Sequence, residues 1–402
     1  MIKMQRWDAI RKEDGAAWRA RLRATRWLWA VLLLVGMTRL GIALVAYVAA
    51  PLLADSTPPP YHLRPPDNTL LDVFGSRWDT GFYLSIADQG YTYRGVPLPS
   101  VAFFPLLPLL IRAVTALIGD PLVAGLLVTN TALVGAMLLL YRLVDDEWGS
   151  SVADRAIWYM LIFPTSFFGS AIYSESLFLL CAIGALYLAR KGYWESAVLL
   201  GIAATLTRLV GIVVAPMLLA EWWSQRRRSA GAGPPLAALL GIAAVPLGTA
   251  GYMLYLQRLF GDPLAFIHAS AAWARAPRSP LALIAELLRP PVEGWASAIL
   301  AGRLPLNDWI DLLTVLFFVV LGGMLLRQRR WSEGVLVLLG SLLPLGSGLL
   351  MSQRRYVWVL FPALILLARW GERPWVDRAI TLFSLLGLGL AVALFANGYW
   401  VG

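Results

Sequence analysis

Cysteine and histidine are nearly missing from this chain: one Cys and two His stand among 402 residues. A lone Cys181 in an apolar run excludes an internal disulfide and reads as a small core residue. His62 and His268 are far apart and carry no ligand spacing, which argues against a zinc site. A glycine-rich nucleotide loop, a serine-nucleophile motif and an aspartate-x-aspartate pair for a metal-bound sugar nucleotide are also missing. The adjacent Asp145 and Asp146 read as a solvated loop instead. No metal and no cofactor is therefore expected. Charge is scarce as well, at 14% of residues.

Apolar surface is what the chain has in excess: 59% of residues are hydrophobic, 18 are Trp, and the mean hydropathy is +0.67. A soluble protein of this length cannot hide that much oil, so its solvent is a lipid bilayer. The net charge of +10 is not a nucleic-acid footprint. Its arginines punctuate apolar segments, as cytoplasmic loops do, and form no basic stripe interleaved with aromatics.

Residues 1–26 are basic, with Trp7 and Trp18, and no small-residue cleavage site follows them. They are expected to be retained as a cytoplasmic surface segment. A first span is expected at about 27–50, ending at Pro51. Residues 51–120 then form a first outer loop, opening with proline-rich sequence that cannot be helical. Within it, the apolar spacing from Arg77 to Gln89, stopped by Gly90, predicts a short helix along the interface. Residues 101–118 hold two prolines and Arg112 and make a poor spanning helix. Further segments are expected at about 121–143, 153–167, 174–190, two short helices within 194–223 turning near Arg208 to Gly211, 236–257, 309–327, 333–350, 356–370 and 379–398. A second outer loop spans 258–308. Positive charge places the N-terminus inside and predicts about eleven spans, with Tyr399 and Trp400 in the outer aromatic belt. The fold class is thus an all-α polytopic membrane protein, one transmembrane domain over 1–402.

Arg208, Arg354 and Arg355 break the charge bias, falling at outer ends of segments on the same face as both long loops. Chemistry is expected there. Asp79 is either an N-terminal helix acid without function or a general base tuned by partial desolvation. Asp88 reads as solvated or structural. Glu175 opens an apolar segment after Ser174, where a helix cap or salt bridge competes with binding of a substrate hydroxyl. The three arginines carry forks that match phosphate oxygens, against a rival role snorkelling to headgroups. Asp262, in Gly-Asp-Pro, is a turn residue or a substrate contact, and His268 follows on the same loop.

The ordered series RWDTGFYLSIADQGY (77–91), AFFPLLPLLIR (102–112), FPTSFFGSAIYSESLFLL (163–180), TLTRLVGI (205–212), FGDPLAFIH (260–268) and SQRRYVWVLFP (352–362) resembles the PIG-V family of mannosyltransferases. That resemblance implies a GT-C glycosyltransferase, moving a sugar, commonly mannose, from a polyprenyl-phosphate donor to an acceptor hydroxyl of a glycolipid, glycan or protein. It implies the extracytoplasmic face of the cell membrane, with Asp79 catalytic. Arg208, Arg354 and Arg355 would hold the donor phosphate, and Trp78, Tyr83, Tyr173, Glu175, Asp262, His268 and Tyr356 would contact substrates. Arg-Leu-Val-Gly at 208–211 departs from the family's Arg-Pro or Arg-Ser-Asn-Gly, leaving the role of Arg208 open. An inverting transfer needs one carboxylate base, since a polyprenyl phosphate departs as a stable anion. The rival class is a transporter or lipid flippase with Arg208 and Glu175 lining its path.

Overall fold

The computed structural model describes residues 2–53, 70–75, 77–228, 233–292 and 294–402, with side chains from Thr25 onward except those of Leu70 and Asp72. The proline-rich stretch with His62, and the side chains of Trp7 and Trp18, lie outside the described residues. Every regular element among the described residues is helical.

Helix α1 (Ile2–Ala49) ends in the apolar stretch Thr25–Ala49. At about 1.5 Å per residue, these 25 residues exceed a hydrocarbon core of about 30 Å. The first long connection carries α2 (Leu70–Gly75), α3 (Thr80–Gln89) and α4 (Leu106–Ile118). With 13 residues, α4 is too short to cross. Helix α5 (Pro121–Trp148) starts where the Asp120 carboxylate accepts the N–H groups of Leu122 and Val123, with proline at its first position. Helix α6 (Ser150–Ile162) stops before Phe163 and Pro164, and α7 (Glu175–Arg190) follows. Helices α8 (Trp194–Thr205) and α9 (Val214–Arg228) flank the turn expected near Arg208. Pro246 interrupts one long apolar stretch into α10 (Ala237–Ala244) and α11 (Leu247–Phe260).

The second long connection carries only short helices: α12 (Ala265–His268), α13 (Pro280–Leu287) and α14 (Trp295–Leu300). The chain closes with α15 (Leu306–Arg327), α16 (Trp331–Leu345), α17 (Gln353–Trp358), α18 (Phe361–Trp370) and α19 (Pro374–Ala396). Among the described residues, five stretches are long and apolar enough to cross a membrane: Thr25–Ala49, Pro121–Trp148, Ala237–Phe260, Leu306–Arg327 and Pro374–Ala396. The chain is an integral membrane protein. The expected count of about eleven spans is not reached by length, because turns at Arg208 and Pro164 leave the neighbouring helices short.

Helices α5, α6, α7, α16 and α18 form the centre, where the buried Trp358 donates its indole N–H to the Met160 carbonyl at 2.9 Å. Helices α1 and α19 pair at the edge, with Leu40, Leu44, Leu386 and Leu390 facing outward as lipid-contacting leucines do. Glu175 opens α7 and Arg190 closes it, so any groups around them sit roughly 22 Å apart. At the Arg190 end, that guanidinium reaches Glu147 (3.0 Å), Glu221 (3.5 Å) and Glu333 (2.6 Å), tying α5, α7, α9 and α16 together.

Candidate functional site

At the Glu175 end, the site begins with α3. Arg112 of α4 donates to the carbonyls of Ala87 (2.5 Å), Ile86 (3.3 Å) and Asp88 (3.4 Å), satisfying the C-terminal turn of α3 with a cation. Trp78 enters this helix with φ +56°, a conformation costly for a bulky residue. Asp79 follows, and its carboxylate caps nothing. Instead Oδ2 accepts from Arg355 Nη1 at 2.9 Å, while the Asp79 backbone N–H donates to the Tyr173 hydroxyl at 3.2 Å.

Glu175 sits deeper, with its side chain 1% exposed. Its Oε1 lies 2.9 Å from Arg355 Nε and 3.1 Å from Arg208 Nη1. Arg208 comes from the turn between α8 and α9, where a Cβ on Gly211 would stand 2.1 Å from the Ala204 carbonyl oxygen, so only glycine fits. Arg355 sits on α17 just after Ser352, whose φ is +77°. The rings of Phe168, Tyr173, Tyr356 and Trp400 surround its guanidinium at 5.2–5.4 Å. Cations seated on aromatic faces lose water at reduced cost. Burial lifts the Asp79 carboxyl above its ordinary range, and the Arg355 charge pulls it partly back.

The remaining expected residues divide into two groups. Trp78, Tyr173 and Tyr356 join the Asp79 cluster through these contacts, and Tyr83 lies on the buried face of α3 against Phe103. Arg354 does not join. Its backbone N–H donates to Asp311 Oδ1 (2.9 Å), its Nε lies 3.2 Å from the same oxygen, and its Nη2 donates to Asn307 (2.9 Å). Neighbours on one helical turn point about 100° apart, so only one of the two arginines can face Asp79. Asp262 pairs with His268 (2.8 Å) and accepts from the Tyr93 hydroxyl (2.7 Å) and the Leu264 N–H (3.0 Å). These bonds make a turn and join the two long connections; they do not reach the Asp79 group.

Three residues escaped the sequence reading. Asp311 is a 1% exposed carboxylate inside an apolar span, and that placement was itself a signal. Trp400, expected in the outer aromatic belt, turns inward to cross Trp78 edge-on at 5.2 Å. Arg275, from the second long connection, donates to Ser347 Oγ (2.8 Å) and the Tyr356 hydroxyl (3.2 Å). Among the described residues, no three His, Cys, Asp or Glu side chains gather as metal ligands.

Residues 28–223 match the family described as Mannosyltransferase (PIG-V), a stretch that includes Asp79, Tyr173, Glu175 and Arg208 but not Arg355. No curated protein matches the chain. Among solved structures it is similar to the archaeal oligosaccharyltransferase AglB from Archaeoglobus fulgidus in complex with an inhibitory peptide and a dolichol-phosphate. Identity there is 14% and the TM-score 0.39, covering 90% of this chain and 56% of that one. It is also similar to ArnT from Cupriavidus metallidurans, apo (13% identity, TM-score 0.48) and bound to undecaprenyl phosphate (13%, 0.46), covering 94% of this chain and 77% of ArnT in each case. The chain thus spans little more than half the length of the oligosaccharyltransferase.

Proposed function

We infer that this chain, whose residues 28–223 match the PIG-V mannosyltransferase family, is a glycosyltransferase that moves mannose from a polyprenyl-phosphate donor to an acceptor hydroxyl with inversion. The observation that carries the reading is the contact between Asp79 and Arg355: one carboxylate with an oxygen left over for a ligand, 2.9 Å from a buried guanidinium.

In this reading the acceptor hydroxyl donates to the Asp79 carboxylate. As the acceptor oxygen attacks the anomeric carbon, its proton passes to Asp79 and the bond from that carbon to the phosphate oxygen breaks. Burial makes Asp79 a stronger base than a solvated aspartate, and general-base catalysis is worth about 10²–10⁴ in rate. Arg355 and Arg208 face the charge that develops on the departing phosphate, which then needs no proton. Glu175 holds those two arginines in place from 2.9 and 3.1 Å and is a positioning residue. Arg354 takes no part in holding the phosphate in this reading, since Asp311 pairs with it at 3.2 Å. The reaction is proposed at the extracytoplasmic face, because the basic segments at 1–26 and 226–228 belong to the opposite side by charge bias.

The test is purified protein in detergent with radiolabelled polyprenyl-phosphate mannose and a membrane glycolipid or peptide extract. Label transfer by wild type that Asp79→Asn abolishes is the expected result. Absence of transfer with every acceptor fraction, or equal transfer by the variant, refutes the reading. Cysteine labelling at position 95 on a Cys181→Ser background checks the face: labelling only from the cytoplasm reverses the orientation.

A further inference from the structure

Three guanidinium groups surround the ring of Tyr356: Arg355 at 5.3 Å, Arg208 at 5.4 Å and Arg275 at 5.9 Å. The first two share the carboxylates of Asp79 and Glu175. Arg275 has no such share. Its hydrogen-bond partners among the described residues are two hydroxyls, Ser347 Oγ and Tyr356 OH, neither of which offsets charge. Three cations against two anions leave one surplus positive charge in a half-buried site, and a surplus of that kind is costly unless an anion completes it.

The backbone around Arg275 is built to hold it there. Ala274, immediately before it, has φ +57°, which alanine rarely adopts. Trp273 meets Phe82 at 5.8 Å and Phe103 at 5.9 Å, fixing this loop to the first long connection. On the other side, a Cβ at Gly348 would stand 1.9 Å from the Ala276 carbonyl oxygen, so a glycine there lets the two loops touch. A flexible surface arginine needs none of this.

We propose that Arg275 completes a three-arginine anion subsite with Arg208 and Arg355, which takes a phosphate group, and that the second long connection delivers it over the site. The inference rests on the reading above for the identity of the phosphate as a lipid-borne one. An inorganic phosphate offers the same oxygens, and only the lipid chain distinguishes the two. Arg275 also helps draw the Asp79 carboxyl downward, which puts it within electrostatic reach of the base.

The experiment measures binding of undecaprenyl phosphate, without sugar, to the full chain in detergent through the shift of its thermal unfolding midpoint, with neutral undecaprenol as control. Wild type is expected to be stabilised by the phosphate and not by the alcohol. Arg275→Gln should weaken phosphate binding by about tenfold or more, the loss that follows removal of a charge-assisted hydrogen bond. Arg275→Lys should fall between, since it keeps charge but loses the fork. If the glutamine variant does not fold, the lysine variant carries the test, and binding equal to wild type overturns the proposal. Undiminished binding by Arg275→Gln, or a lysine variant no better than glutamine, also overturns it. Competition by millimolar inorganic phosphate supports the subsite with a free anion as occupant, and its failure supports the lipid phosphate. Sugar transfer with an unchanged donor KM in Arg275→Gln sinks this inference and leaves the transferase intact. Arg275-dependent phosphate binding without any transfer does the reverse.

Discussion

Replacing Asp79 by Asn separates the two carboxylates of the site. The substitution keeps shape and removes one negative charge. Arg355 retains Glu175 at 2.9 Å and its four aromatic neighbours, so the guanidinium is not stranded. The lost ion pair is partly offset by relief of the desolvation that lifts the Asp79 carboxyl, so folding stability should fall less than on loss of Glu175, the carboxylate that two arginines share. Turnover should fall about 10²–10⁴-fold, a barrier increase of about 2.7–5.5 kcal/mol. Binding of polyprenyl phosphate should not weaken, because an anion beside the arginines has been removed. The pH signature follows from the same burial. Holding its proton more tightly folded than unfolded, Asp79 withdraws stability as pH rises from the unfolded value of 3.8 through the folded one, and Asp79→Asn lacks that decline. The assays are kcat and KM for labelled donor together with thermal unfolding across pH. A variant that keeps more than about a tenth of wild-type kcat, or loses activity only through KM, refutes the base assignment. Glu175→Gln, at 1% exposure and shared by two arginines, should instead cost about 3–5 kcal/mol of stability.

Asp311→Asn strands Arg354, and should cost about 3–5 kcal/mol that Asp311→Asn/Arg354→Gln largely restores. Additive single and double losses in thermal unfolding would show that the pair is not coupled. Hydrogen bonds from His268 first, then Tyr93, hold the Asp262 carboxyl below its ordinary range. The stability they add is present above the unfolded pKa and lost as pH falls through the folded one, so Asp262→Asn should flatten the acid-side loss of amide protection over 258–268. An unchanged pH profile speaks against that link. Gly211→Ala drives a methyl into the Ala204 carbonyl oxygen at 2.1 Å and should cost about 3 kcal/mol or more, together with donor affinity lost through Arg208. A wild-type unfolding midpoint would contradict the packing of this turn.

Much of the site was legible because apolar segments set topology and polar exceptions stand out against them. The stop at Gly90 follows from a local rule, and the turn near Arg208 from an apolar run too long for one span with positive charge at both ends. Counting spans was harder, because a membrane fold can bury short helices against long ones, and only length separates them in sequence. Arg354 and Arg355 are indistinguishable as neighbours: which one faces Asp79 is settled by Asp311, forty-odd residues earlier on another helix. Arg275 lies in a loop without periodicity, and its place depends on a left-handed alanine and a glycine contact that no pattern announces. Trp400 belonged to the aromatic belt by position alone, and only tertiary packing turns it onto Arg355.

The two charged clusters at the ends of α7 differ in how completely they are bonded, and the difference bears on the proposed site. Around Arg190, Glu221 also accepts from Ser332 (2.6 Å) and Gln225 (3.0 Å), while Glu147 and Glu333 each receive both Arg190 and Arg330. Every carboxylate there has several donors. At the other end, both Glu175 oxygens and the Trp400 indole N–H are buried without a well-aligned hydrogen bond among the described residues, although the arginine charges lie close. Charge proximity without directional bonding is poor use of a buried carboxylate if stability were the only purpose, since each unsatisfied polar atom costs about 1–3 kcal/mol. A fold that satisfies one cluster and leaves the other underbonded, within one helix length, supports the proposal that a phosphate and a hydroxyl complete the second.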